Sequence, residues 1–180
     1  MGLLTKEMLV KYKTNILVET GTYLGESIKV GLEAGVARIH SIELSEELYK
    51  ENVERFKAFD QVTIHHGDSA AKLPEIIATL SGPATFWLDA HHCGGNTGIQ
   101  LNSDTPRCPI LKEIHAIAQS TFKDHTILID DIRLFGMPEF DNISLDDVQD
   151  AISAINADYK FELEKNSTYP LPDILSAFIR

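Results

Sequence analysis

The feature that most constrains this chain is an alternation of two hydrophobic periods. Short apolar, β-branched runs at 15–19, 38–43, 62–66, 84–89 and 126–130 are separated by helical patterns at 25–34, 45–59, 70–80 and 109–122. Runs such as Ile127-Leu128-Ile129 are apolar at every position, so both faces of the strand must be covered. Strands of that kind, each followed by a helix, predict right-handed crossovers and a doubly wound, mostly parallel sheet. After Asp131 the rhythm changes. A helix over 144–157 leads to strands over 159–165 and 174–179, joined by about eight residues that include Pro170 and Pro172. That connection is too short for a crossover helix, so the last two strands are expected to be an antiparallel pair at the sheet's edge.

No repeat or linker divides the 180 residues, and one domain spanning 1–180 is expected. No run of 18 apolar residues and no signal-peptide pattern occurs, which points to a cytoplasmic protein without membrane attachment. A net charge of −11 with scattered Lys and Arg argues against nucleic acid as a partner. Cys93 and Cys108 read first as free thiols.

The candidate binding residues lie where strands end. The first strand runs into Val18-Glu19-Thr20-Gly21-Thr22-Tyr23-Leu24-Gly25-Glu26-Ser27. Glycines at a strand-to-helix turn let a ligand approach the backbone. A dinucleotide calls for G-x-G-x-x-G and a positive surround for its pyrophosphate. This turn is G-x-x-x-G with an acid, Glu19, before it. A carboxylate there suits the ammonium and sulfonium of S-adenosylmethionine (SAM). Glu43 ends the second strand, where an acid can accept from both ribose hydroxyls, and Gly67-Asp68-Ser69 follows the third.

Glu19, Gly21, Thr22, Gly25, Ser27, Glu43, Asp68 and Ser69, in this order along the strand ends, resemble the cofactor site of the class I SAM-dependent methyltransferases. The resemblance covers residues 15–180. It implies a Rossmann-like, seven-stranded sheet with a C-terminal antiparallel pair, and Asp68 and Ser69 against the adenine.

The fourth strand ends in Asp89-Ala90-His91-His92-Cys93 and the fifth in Asp130-Asp131. In the resembling topology these strands are neighbours, so three acids converge where substrates bind. Close carboxylates need a cation, and oxygen ligands suit Mg²⁺ or Mn²⁺. The arrangement is similar to that of small metal-dependent O-methyltransferases, which implies Asp89, Asp130 and Asp131 as metal ligands. His91, His92 and Asp89 are then the candidate catalytic residues, with a histidine taking the proton of an acceptor hydroxyl. His91, His92 and Cys93 as zinc ligands are the alternative use of that segment. The stretch from Cys93 to Pro109 has no hydrophobic period and reads as a flap. His40, His65, His115 and His125 read as structural.

The expectation is a SAM-dependent O-methyltransferase acting on a small-molecule hydroxyl of a sugar, polyketide or phenolic. The rivals are a nicotinamide-dependent oxidoreductase and a non-catalytic subunit on the same fold. Only about 14 residues precede the first strand, so a partner chain or a second copy, as in a homodimer, is expected to complete the acceptor site.

Overall fold

The computed structural model describes residues 4–90, 107–165 and 171–179. Among them seven strands form one sheet in the order β3-β2-β1-β4-β5-β7-β6. The strands are β1 (Ile16–Thr20), β2 (Arg38–Glu43), β3 (Val62–His66), β4 (Thr85–Leu88), β5 (Thr126–Ile129), β6 (Lys160–Lys165) and β7 (Pro172–Phe178). The first five are parallel, whereas β7 runs antiparallel to both β5 and β6. The closing pair is therefore antiparallel as expected, with β7 inserted beside β5 and β6 left at the edge.

Alternation within the buried strands sends side chains into two cores. Ile16, Val18, Phe86, Leu88, Ile127 and Ile129 pack on one face with α4 (Ser69–Ile77), α5 (Ile110–Ala118) and α6 (Leu145–Ser153). Their neighbours Leu17, Trp87 and Leu128 pack on the other with Ile28 of α2 (Glu26–Glu33) and Phe56 of α3 (Glu46–Phe56). That second face also takes Met8 and Leu9 of α1 (Lys6–Lys11), a helix that the strand-and-helix rhythm does not announce. It starts at Thr5, whose hydroxyl accepts from the amide of Met8.

Helix starts place the turns that matter. Asp68 caps α4 by accepting from the amide of Ala71 at 3.0 Å. Gly25 begins α2 at φ 73°, and Ser144 and Asp147 form a reciprocal capping box on α6. Beyond β5 the chain makes two single 3₁₀ turns, Ile132–Leu134 and Pro138–Phe140, before α6. Among the described residues no helix is long and apolar enough to cross a membrane.

Candidate active site

The strand ends are stitched together one step beyond the strands themselves. The amide of Gly67 donates to the carbonyl of Glu43 (2.9 Å) and that of Gly21 to Ile42 (3.0 Å). Asp89 donates to Thr20 (3.2 Å) and Asp130 to Leu88 (3.3 Å) in the same way. Consequently Asp68, Glu43, Glu19, Asp89 and Asp130 stand on one C-terminal edge running from β3 through β5. At the usual strand spacing that row spans about 19 Å. It is the side of an open parallel sheet on which ligands bind.

The turn between β1 and α2 is held from all sides. Glu43, almost fully buried, accepts from the amides of Tyr23 and Ser45, both at 2.8 Å. Tyr23 sits at a positive φ of 46°, and its carbonyl accepts from the Asn52 side chain at 2.6 Å. Arg55 donates to the carbonyl of Leu24. Asn52 and Arg55 lie on α3 and were not candidates on sequence grounds. The one signal that could have marked the first of them is a polar residue four positions before Phe56, on the stripe that the helix buries.

The two glycines are also required by the protein's own packing. A Cβ on Gly21, at φ +86°, would lie 2.6 Å from the carbonyl oxygen of Asp89. A Cβ on Gly25 would lie 2.5 Å from the Phe56 ring and 2.9 Å from Asn52 Oδ1. Both glycines therefore admit protein atoms: the exit of β4 in one case and helix α3 in the other.

Glu19 is 1% exposed and its Oε2 accepts from Ser41 Oγ at 2.5 Å. Thr22 Oγ1 lies 2.6 Å from the same Ser41 hydroxyl. Burial pushes the Glu19 carboxyl up to about 7, the hydroxyls of Ser41 and Ser27 pull against that rise, and the Glu43 carboxylate adds to it. Ser69 is buried, whereas Asp68 is exposed and spends one oxygen on its cap.

Asp89, Asp130 and Asp131 come together as the sequence suggested, each offering a carboxylate oxygen within 4.8 Å of the others. Asp130 and Asp131 are buried and Asp89 is half-buried. Asp131 sits at φ 58°, which turns it from the strand direction toward Arg133. The Arg133 guanidinium bridges Asp131 and Asp173, a buried acid at the start of β7. Neither Arg133 nor Asp173 was a candidate, because their meeting depends on β7 lying beside β5. A pocket opens next to this cluster, lined by Ala90, Cys108, Glu113, Asp130, Phe135 and Phe140. Cys108 is a buried free thiol that burial pushes up to about 12, far from a reactive thiolate. His91, His92, Cys93 and most of the expected flap lie outside the described residues.

No protein-family model and no curated protein matches the chain. Solved structures do. The O-methyltransferase from Bacillus cereus in complex with SAH (S-adenosylhomocysteine) aligns over 97% of this chain and 78% of its own, at 16% identity and a TM-score of 0.63. The fold is that of the class I SAM-dependent methyltransferases. The SAH-bound Podospora anserina methyltransferase PaMTH1 aligns over 97% of this chain and 76% of its own, at 14% identity and a TM-score of 0.59. The spermidine synthase from Thermotoga maritima aligns over 97% of this chain and 56% of its own, at 12% identity and a TM-score of 0.60. One class I frame thus carries enzymes of different names, and the reaction has to be argued from the site.

Proposed function

We propose that this chain is a SAM-dependent methyltransferase that methylates a hydroxyl of a small molecule with help from a divalent cation. The observation that carries the reading is the row of acids at successive strand ends of a class I frame, with Glu43 and Glu19 buried beside the β1–α2 turn. Buried carboxylates there favour a cationic ligand and oppose a pyrophosphate. Glu43 keeps lone pairs for ribose hydroxyls after accepting its two amide bonds, since each carboxylate oxygen can accept more than once. Asp68 has a second oxygen beyond its cap for an adenine amino group, with Ser69 beside it.

Asp89 and Asp130, with Asp131 shared with Arg133, form an all-oxygen donor set that fits Mg²⁺ or Mn²⁺. A cation held there would lower the pKa of an acceptor hydroxyl. The protein's own residues do the rest. Donor and acceptor would have to be aligned there for in-line transfer, with Phe135 and Phe140 beside Asp130 as the apolar neighbours of the acceptor. His91 and His92, which follow Asp89 in the sequence, are the candidates for taking the hydroxyl proton.

Calorimetric titration with SAM, SAH and NAD tests the assignment. SAM and SAH should bind and NAD should not. Glu43→Ala should weaken SAM by about 1.5–3 kcal/mol, the worth of hydrogen bonds to a charged acceptor. Unchanged affinity in a folded Glu43→Ala variant would remove Glu43 from the site, and preference for NAD would overturn the reading.

A further inference from the structure

Glu19 is an acid where the fold needs no charge. It sits inside the sheet's second face, and the groups facing it are Ser41 and Glu43 from β2, Ser27 from α2 and Trp87 across on β4. Glu43 is the only charged group recorded against it among the described residues. A buried carboxylate facing hydroxyls and a second carboxylate is costly unless it is neutralised by a proton or by an incoming cation.

The hydroxyl contacts give the charge state a route to the turn. When Glu19 is ionised it can only accept, so Ser41 must donate to it and Thr22 must donate to Ser41. When Glu19 is protonated the direction can reverse: Glu19 donates to Ser41, and Ser41 to Thr22. Thr22 belongs to the turn that opens α2, pinned by its amide to the carbonyl of Ile42 at 3.1 Å. An ionised Glu19 therefore fixes which way the hydroxyl of that turn points, and a protonated one releases it.

We infer that Glu19 is a proton-linked counter-charge of the donor site: it releases one proton to solvent when a cationic group of the ligand settles against the β1–α2 turn, and its ionisation then fixes the Ser41–Thr22 hydroxyl chain in the direction that donates to it. The inference rests on the SAM reading and adds its regulation by pH. Glu19 acts through Ser41 and Thr22, so it is a positioning residue. With its carboxyl held near 7 in the free protein, roughly 0.9 proton is available for release at pH 6, and SAM binding should be roughly fivefold weaker at pH 6 than at pH 7.

The test is calorimetry at pH 6.0 in buffers of small and large ionisation enthalpy, with SAM, SAH and methylthioadenosine as probes. At that pH the amino group of SAM is already protonated and contributes nothing. SAM should release close to one proton from the wild-type chain, and methylthioadenosine, which has neither ammonium nor sulfonium, close to none. Release with SAH as well as SAM assigns the ammonium as the partner; release with SAM alone assigns the sulfonium. Glu19→Gln should bind SAM without proton exchange and with equal affinity at pH 6 and pH 7. SAM binding to the wild type with no proton exchange overturns the inference and leaves the cofactor assignment standing, as does an unchanged proton count in Glu19→Gln. Absence of SAM binding at every pH overturns the cofactor assignment itself. If Glu19→Gln does not fold, the wild-type buffer series with its three probes decides alone.

Discussion

Replacing Gly21 by alanine tests whether the donor turn and the exit of β4 are one packed unit. Two costs apply. At φ +86° an L side chain is strained by about 1–2 kcal/mol. The new Cβ would also stand 2.6 Å from the carbonyl oxygen of Asp89 and 3.3 Å from the Cα of Ala90. Both are backbone atoms, and the Asp89 amide is itself tied to Thr20, so nothing can rotate away. Relieving such an overlap typically costs about 1–3 kcal/mol more. Gly35 is the matched control. It has φ +76° and nothing within 4 Å of its added Cβ, so Gly35→Ala should carry the strain alone. Urea denaturation of both variants at constant slope should place Gly21→Ala about 1–3 kcal/mol below Gly35→Ala. Equal losses would refute the close packing of this turn against the exit of β4.

The remaining predictions concern the cation and the buried histidine. Electron paramagnetic titration of Mn²⁺ should show a site that Asp130→Asn or Asp89→Asn weakens roughly tenfold or more, about the worth of one charged oxygen partner, while SAM affinity changes little; equal Mn²⁺ binding in all three proteins would discard the cation. His125 is fully buried, its Nδ1 accepts from the Ala84 amide at 3.0 Å, and its Nε2 therefore donates to Ser120 Oγ at 2.8 Å. Burial lowers its pKa to about 4, so the stability it lends is present above its unfolded value near 6.5 and is lost as pH falls through 4. An NMR titration of the ring should find it neutral at pH 5, and a protonated ring at that pH would contradict the burial argument.

How much of this was legible depends on how local the cause was. Both β2 and β3 agree with their apolar, β-branched runs in extent, because a short run of that kind bounded by polar residues marks a strand directly. Helix α1 escaped because one and a half turns buries only Met8 and Leu9, too few residues to establish a period. The 3₁₀ turns after β5 have no period at all. The acids of the candidate site were legible as a row because strand ends were legible, and strand ends are where such a sheet binds ligands. What each acid does was not. Asp130 and Asp131 are indistinguishable in sequence, and only the left-handed conformation of Asp131 and the arrival of Asp173 on β7 separate them. The packing that Gly21 and Gly25 make room for was not legible, since the atoms that exclude a side chain there come from residues 27 to 69 positions away.

The edge running from Asp68 to Asp130 is proposed to be a SAM site with a cation at its far end. A crystal structure of the chain grown with SAH and Mn²⁺ tests it in one experiment. Adenosine density should lie between Glu43 and Asp68, the amino-acid end against the β1–α2 turn, and an anomalous peak within reach of Asp89 and Asp130. SAH bound elsewhere, or an empty crevice at saturating SAH, would contradict it.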